Sequence, residues 1–302
     1  MGSATLAIGS VLAAVTVFAG GFVSGRMYYD EGGIPADIVV LRFGVAAALL
    51  LPYLLWSVRR LLANPGLGKA VALTLAGGAP FGIAVMTGVA GAPVTHGAGI
   101  VPAVALSFGA LISIAVLKEP VRRMRLAGIA LALGGIALLI LPAVTTGGAT
   151  WWGEAAFIAA GVLWGSFTVG LRVLSLRALD GTALVSVLSI PFLAAYWVWF
   201  EPSLPHVPIR ATIEHGIYQG IVFQVVAVML YSRGVGVLGA TFGVAAMALM
   251  PGIGTLMEWA IFDRVPYWQE LGAIAVIAAG VVLVARSSAR ATSAKPPIRQ
   301  AE

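Results

Sequence analysis

The sequence predicts an all-α integral membrane protein of ten transmembrane helices, arranged as two inverted five-helix repeats with both termini in the cytoplasm. Three observations predict it: an apolar composition, ten long apolar stretches, and a weak repeat at half the chain length. Of the 302 residues, 60% are hydrophobic and 10% are charged, and the mean hydropathy is +1.00. A soluble domain carries roughly 25% charged residues. The outer surface of this chain must therefore face lipid.

Ten stretches are long enough to cross a bilayer, which takes about 20 mainly apolar residues. No basic segment precedes the first stretch and many equally apolar stretches follow it, so it is a membrane span and not a signal peptide. The connectors between the stretches carry the charges and the turn-forming residues. The predicted spans are 4–25, 36–58, 68–90, 93–117, 126–146, 153–173, 181–200, 215–232, 234–262 and 268–286.

Arginine and lysine are distributed unevenly over the predicted topology. With a cytoplasmic N-terminus, fourteen of them lie in cytoplasmic segments, and three, Arg26, Arg210 and Arg264, lie on the other side. Cytoplasmic connectors of membrane proteins carry such an excess, and tryptophan marks both interfaces. Arginine outnumbers lysine fifteen to three, and alanine, glycine and valine abound, a bias typical of a GC-rich bacterial genome. The sequence therefore predicts a multi-pass protein of the bacterial cytoplasmic (inner) membrane. The tryptophans at predicted outer ends are Trp151, Trp152, Trp197, Trp199, Trp259 and Trp268, and Trp56 lies at an inner end.

Two pairs of segments repeat weakly at half the chain length. Residues 118–128 correspond to 262–272, each with an acid, a valine two positions later and a glycine nine positions later. Residues 18–26 correspond to 164–172, so the offset is about 144–146 residues. Each half holds five spans, an odd number, so the second half enters the membrane in the opposite direction. Inverted repeats are characteristic of secondary transporters, whose substrate site lies between the repeats near the midplane. The predicted units are 1–148, 149–290 and a polar basic tail at 291–302.

Four motifs follow one another along nearly the whole chain. They are Leu41-Arg42-Phe43 at the start of span two, Pro102…Glu119-Pro120…Gly128 across spans four and five, Leu163-Trp164-Gly165-Ser166 in span six, and Gly272…Gly280 in span ten. This order resembles the drug/metabolite transporter superfamily, specifically its ten-span EamA-type exporters. Within that family the chain looks most like bacterial amino-acid exporters of the YddG kind, including exporters of aromatic amino acids.

The resemblance implies that spans one, three, four, six, eight and nine line a substrate cavity, with spans five and ten peripheral. The chain departs from the family pattern at two positions. Asp263 stands where the family usually has a glutamate, and Pro251 lies five residues beyond the position that matches Pro102. The second departure places the expected break in span nine at a different depth.

Several side chains near the middle of predicted spans are candidates for binding substrate. Trp164 lies near the midplane, where it is either a large core or lipid-facing side chain or a cavity wall that packs against an apolar substrate group. Phe18 is its counterpart in the first repeat. Gln224 either joins helices or binds substrate. The hydroxyls of Ser107, Thr16, Ser166 and Thr168 can each bond to the preceding helical turn instead.

Ionisable side chains inside the predicted spans have two open roles each. Arg42 either extends outward to Asp37 or the headgroups, or holds a substrate carboxylate. His96, at the outer end of span four, either caps the interface or senses pH. His96 and Glu258 both lie toward the outer surface, where we expect water to hydrate them. Glu119 and Asp263 are expected beside helix starts, where an acid suits the helix dipole.

Prolines interrupt four of the predicted spans. Pro80, Pro102, Pro191 and Pro251 fall in spans three, four, seven and nine. A proline inside a span frees a carbonyl and bends the helix, which is tolerated where protein or a cavity satisfies the carbonyl. Pro80, Pro102 and Pro251 are therefore candidate sites of helix breaks and gating.

Missing motifs narrow the function. The chain has no cysteine, no phosphate-binding Walker loop and no His-Glu metalloprotease pair, so we expect no enzyme activity, cofactor, metal, ATP or nucleic acid. Span one carries no carboxylate, which argues against the cation–proton exchange of the small drug antiporters of the superfamily. No Asp, Glu or Lys lies in the central third of a predicted span, so we expect transport without obligatory proton coupling.

The sequence thus predicts a secondary transporter that exports small, largely apolar metabolites, with amino acids first, by alternating access. One alternative is an exchanger of phosphorylated sugars or nucleotide-sugars. Such a protein would need several Arg or Lys side chains near the middle of the membrane, and Arg42 is the one cation predicted near that depth. Another is a non-transporting membrane subunit. The predicted partners are the bilayer and a small-molecule substrate, and the sequence leaves monomer and homodimer open.

Overall fold

The computed structural model describes residues 2–118, 121–199 and 202–293, and within these ranges it contains helices and no strand. Ten of its helical segments are long and apolar enough to cross a membrane, as the sequence predicts. Glu119 and most of the tail lie outside the described residues, as do the side chains of Trp197 and Trp199. The cytoplasmic placement of the termini stays a prediction. We use "predicted outer side" for the side at which spans one, three, five, seven and nine end.

The first five spans are single helices except for span three, which is two. Span one is Gly2–Asp30, span two is Pro35–Ala63, span three is Leu67–Gly77 and Ala79–Gly91, span four is Val94–Leu117, and span five is Arg123–Thr145.

Three of the second five spans are segmented, and span eight contains a π-helix, a wider and rare helix that is frequently found at functional sites. Span six is Trp151–Val173, span seven is Ala178–Leu188 and Ile190–Trp199, span eight is Ile209–Gly216, the π-helix Ile217–Ala227 and Val228–Leu238, span nine is Ala240–Met247 and Met250–Phe262, and span ten is Trp268–Ser293.

The predicted boundary between spans eight and nine is wrong. The sequence places it at Arg233, but the helix continues to Leu238 and the turn lies at Gly239. The backbone at Gly239 has a φ of +86°, a conformation that glycine adopts without steric cost. A charged residue near the end of a span can stay helical and extend its head group to water, so a glycine marks this turn better than an arginine does.

Prolines lie at three of the helix breaks. Pro80 and Pro251 stand in the first turn of the second helix of spans three and nine, where a missing N–H removes no helical hydrogen bond. Pro191 follows the start of the second helix of span seven in the same way. Pro102 differs, because the helix of span four runs unbroken through it from Val94 to Leu117.

The repeat is visible in the positions of the helix ends. Span four ends at Leu117 and span nine at Phe262, 145 residues later. The next residue is left-handed in both cases, with φ of 51° at Lys118 and 53° at Asp263. Asp263 therefore follows a helix end, and the expectation that it lies beside a helix start is wrong, because span ten begins only at Trp268.

Six of the spans pack in a closed ring, in the order one, eight, nine, four, six and three. Spans five and ten pack on each other and against spans four and nine, and spans two and seven pack on the ring through spans eight and three. Glycines allow the closest of these contacts. A Cβ at Gly165 in span six would lie 2.6 Å from the carbonyl oxygen of Ala105 in span four, and one at Gly280 in span ten would lie 2.5 Å from the amide of Ala132 in span five.

Candidate functional site

Trp164 packs in an aromatic cluster between spans three and six. Its ring centroid lies 4.9 Å from that of Phe81 and 5.2 Å from that of Phe167, with tilted ring planes. The side chain is partly exposed, so one part of the indole is free to meet another group. This geometry is compatible with both roles that the sequence leaves open for Trp164.

Phe18 packs in a second aromatic cluster between spans one and eight. Its ring lies edge-on to Phe223 at 5.4 Å and to Tyr231 at 6.0 Å. Phe223 belongs to the π-helix, and Gly21 of span one faces its ring. A side chain at Gly21 would collide with that ring, so the glycine lets the π-helix approach span one.

Arg42 joins span two to the π-helix of span eight. Its Nε and Nη2 donate to Gln219 Oε1 at 2.9 and 2.6 Å, and its Cζ lies 4.3 Å from the ring centroid of Phe223. Gln219 in turn donates from Nε2 to the carbonyl of Gly21 at 2.8 Å. Spans one, two and eight are therefore linked around one guanidinium group, about 10 Å along span two from its first residue.

Arg42 does not extend to Asp37 or to the headgroups, which corrects one of the two roles open to it. The residue is 1% exposed, and Asp37 instead contacts Ser203 and Tyr28. Among the described residues no carboxylate lies within 4 Å of the guanidinium, and its Nη1 has no hydrogen-bond partner. A buried charge without a counter-ion is destabilising by several kcal/mol, so the structure holds an unused cationic donor.

The remaining mid-span polar candidates fall into two groups. Thr16, Ser166 and Thr168 each donate to the carbonyl four residues earlier, at 2.7–2.9 Å, which is the local bond that their positions in the helices allow. Ser107 is buried, and its hydroxyl has no partner among the described residues. Gln224 is buried in the π-helix one turn beyond Gln219.

A buried ionic cluster lies at the predicted outer end of spans four, six, nine and ten. We call it the outer cluster, and its members are His96, Glu154, Glu258, Arg264 and Glu270. His96 Nδ1 is hydrogen-bonded to Glu154, and Arg264 contacts Glu258 at 3.5 Å and Glu270 at 2.5 Å. The expectation that His96 and Glu258 are hydrated is wrong, since they are 0% and 5% exposed.

Neighbouring backbone groups and an adjacent cavity complete this region. Glu258 accepts hydrogen bonds from the amides of Val94 and Thr95 at 3.1 and 2.9 Å and from the Thr95 hydroxyl at 2.6 Å. A cavity of about 470 Å³ adjoins the cluster, with Glu258 and Arg264 in its wall. Arg26 and Asp30 of span one also line it. A cavity of this size and with these polar groups in its wall has room for water at the edge of the outer cluster.

Ten helical segments long and apolar enough to span a bilayer, with polar groups buried between them and a pair of helix ends that repeats at 145 residues, are the architecture of a multi-pass membrane protein. The model of the EamA-like transporter family matches the sequence twice, at residues 5–141 and 151–286. The chain therefore belongs to the EamA-like transporter family, which confirms the resemblance to the drug/metabolite transporter superfamily. The match indicates a transporter and not an enzyme.

Two further comparisons address fold and relatives. One solved crystal structure superposes with a TM-score of 0.58 over 95% of this chain and 98% of that chain, at 20% sequence identity. At this identity the likeness concerns the fold. No curated protein matches the sequence. The narrower similarity to YddG-like amino-acid exporters, and the roles of the candidate substrate residues, stay predictions.

Proposed function

We propose that this protein is a secondary transporter that exports small, largely apolar metabolites bearing a carboxylate, with amino acids first. The observation that carries the proposal is Arg42, a buried guanidinium with one unpaired nitrogen and no counter-ion among the described residues. Arginine binds carboxylates through two parallel N–H groups, and a substrate carboxylate would supply the missing charge. Gln219 would hold the guanidinium in place for that contact.

Aromatic side chains near this guanidinium favour an apolar substrate body. The Phe223 ring lies under the Arg42 guanidinium, and Phe18 of span one packs edge-on to Phe223. Aromatic walls bind apolar and aromatic groups through area and ring geometry. Arg42 is occluded in this structure, so access requires spans one and eight to separate. The π-helix of span eight faces span one through Phe223, and π-helices are frequent at functional sites.

An exchanger of phosphorylated sugars is the less favoured function. A phosphate ester carries about two negative charges near neutral pH, and mid-membrane sites for it would need several cations. Among the described residues at this depth only Arg42 supplies one. A single arginine matches the single charge of a carboxylate.

Counterflow into proteoliposomes tests the proposal with three matched probes. The purified full-length protein is loaded inside with unlabelled phenylalanine, and uptake of labelled phenylalanine, 3-phenylpropionate and phenethylamine is compared. We expect both carboxylates to exchange and the amine, which lacks the carboxylate, to be excluded. Exchange of phenethylamine as fast as phenylalanine would contradict the carboxylate site. In a separate assay liposomes are loaded with unlabelled hexose phosphate, and exchange of labelled hexose phosphate without exchange of either carboxylate would favour the alternative.

A further inference from the structure

The outer cluster serves no purpose in the proposed substrate site, and its geometry suggests a ligand of its own. Its side chains come from four spans and one connector, and each acid in it is less than a tenth exposed. The described residues offer no group of three or more side chains placed to bind a metal ion. The smallest cation, a proton, is the ligand that the contacts around His96 fit.

Both nitrogens of the His96 ring face carboxylates. Nδ1 is hydrogen-bonded to Glu154, and Nε2 lies 3.7 Å from Glu270 Oε1 without a hydrogen bond. A neutral imidazole has one N–H, so in either tautomer one nitrogen directs its lone pair at a carboxylate oxygen. One added proton converts that repulsive contact into an ion pair and leaves the other contact intact.

The charges around the ring act in the same direction. Glu154, Glu258 and Glu270 contribute three negative charges and Arg264 one positive charge, so the cluster with neutral His96 has a net charge of −2. Glu154 Oε2 is buried and has no hydrogen-bond partner among the described residues. Arg26 and Asp30, which also line the cavity, pair with each other at 3.0 Å and add no net charge. Burial makes a net charge of −2 unfavourable, and one added proton reduces the net charge to −1.

We propose that His96, Glu154 and Glu270 form a proton-binding site that exchanges with water on the predicted outer side. A hydronium ion in the cavity beside Glu258 and Arg264 gives its proton to the ring nitrogen of His96 that carries none and becomes water, so the net charge of the cluster rises by one and no electrons move. The bound proton holds the outer ends of spans four, six and ten together. Its loss leaves two carboxylates facing a neutral ring, which favours opening at that end.

The other buried histidine provides an internal comparison. His215 Nδ1 contacts the Ser24 hydroxyl at 2.8 Å, and Nε2 lies 3.6 Å from Glu31. A hydroxyl can donate or accept, so a neutral His215 ring satisfies both contacts. Of these two buried rings, the His96 ring is the one with a described carboxylate at each nitrogen.

Nitrogen-15 NMR of histidine-labelled protein in nanodiscs tests the site without any transported substrate. The resonances that vanish in His96→Gln belong to His96, and the exposed His206 serves as the reference. We expect both His96 nitrogens to carry protons at pH 7, and one proton to be lost in Glu154→Gln or Glu270→Gln at that pH. If His96→Gln does not fold, His206→Gln and His215→Gln give the assignment. A neutral His96 ring in the native protein at pH 7 would overturn the proposal.

Counterflow over a range of external pH in right-side-out liposomes tests the consequence for transport. If opening at the outer end releases one proton, the equilibrium constant for opening rises by up to about tenfold for each unit of increasing pH. We expect exchange to rise with external pH in the native protein and in the His206→Gln control, and to be flat in His96→Gln. A pH profile of His96→Gln equal to the native one would contradict the proposed link to opening. Absence of any exchange would contradict the proposed transport function, while the NMR result would still decide the proton site.

Discussion

Replacement of Arg42 by methionine separates a substrate site from a purely structural contact. Methionine is about as long as arginine but is apolar. The variant therefore loses both hydrogen bonds to Gln219 and the contact with the Phe223 ring. Leaving Gln219 Oε1 unpaired costs about 1–3 kcal/mol, and loss of the cation–π contact about 0.5–2 kcal/mol. Removing a buried charge that has no counter-ion stabilises the folded state by several kcal/mol. The two effects nearly cancel, so we expect the substrate-free variant to unfold at about the native temperature.

The same substitution should weaken substrate binding strongly. A charge-assisted hydrogen bond contributes about 1.5–3 kcal/mol, which corresponds to a loss of about 10–150-fold in carboxylate affinity. The assay compares thermal unfolding, followed by size-exclusion chromatography, with phenylalanine affinity from counterflow. Arg210→Met is the control, since Arg210 is exposed and pairs with Glu214 on the helix surface. Unchanged affinity in Arg42→Met, or a fall in stability that accounts for the loss of transport, would refute the assignment.

Four further predictions concern packing, selectivity, topology and energy. Gly165→Ala brings a Cβ to 2.6 Å from a carbonyl oxygen of span four and should lower stability by about 1–3 kcal/mol in the thermal unfolding assay. Gly134→Ala is the control, and it should be neutral or stabilising because the space around Gly134 is open. Trp164→Ala should change the ranking of exchanged apolar amino acids while Trp56→Ala, at an exposed span end, should not. A C-terminal reporter active only in the periplasm should stay silent, and activity there would invert the topology. An imposed pH gradient should not drive accumulation into substrate-free proteoliposomes, and gradient-dependent accumulation would show coupling.

The spans and the repeat were predictable because hydropathy and helix length are local properties. The ten apolar stretches and the offset near 145 residues both follow from the order of residues along the chain. The local hydrogen bonds of Thr16, Ser166 and Thr168 follow in the same way, since each partner lies four residues away. Their geometry needs no knowledge of neighbouring helices.

Gln219 was missed because its depth was misjudged. The sequence starts span eight at residue 215, which places Gln219 near the membrane surface, but the helix begins at Ile209 and Gln219 lies ten residues into it. The apolar and polar residues of 209–214 alternate around the helix, so mean hydropathy is low there although the helix continues. With the helix start placed at Ile209, Gln219 lies deep in the span and would have been a candidate substrate residue beside Gln224.

The outer cluster was missed for a different reason. Position along a span gives depth, and depth alone suggested that acids and a histidine at span ends are hydrated. Whether they are buried depends on lateral packing, and spans four, six, nine and ten meet at this end. Glu154 had no partner within its own helix to mark it, and His96 lies 58 residues earlier in the chain. Only the fold brings the two side chains together.

The two ionic sites have different depths, and depth determines what each can do. Arg42 stays charged at all physiological pH values, so it can bind an anion but cannot carry a proton. His96 can titrate, but it is the third residue of span four, where water in the adjoining cavity approaches from one side. A proton that enters and leaves on one side is not transported and adds no energy to the substrate gradient. The arrangement therefore favours downhill export whose rate depends on external pH, with substrate recognition and the control of opening assigned to separate residues.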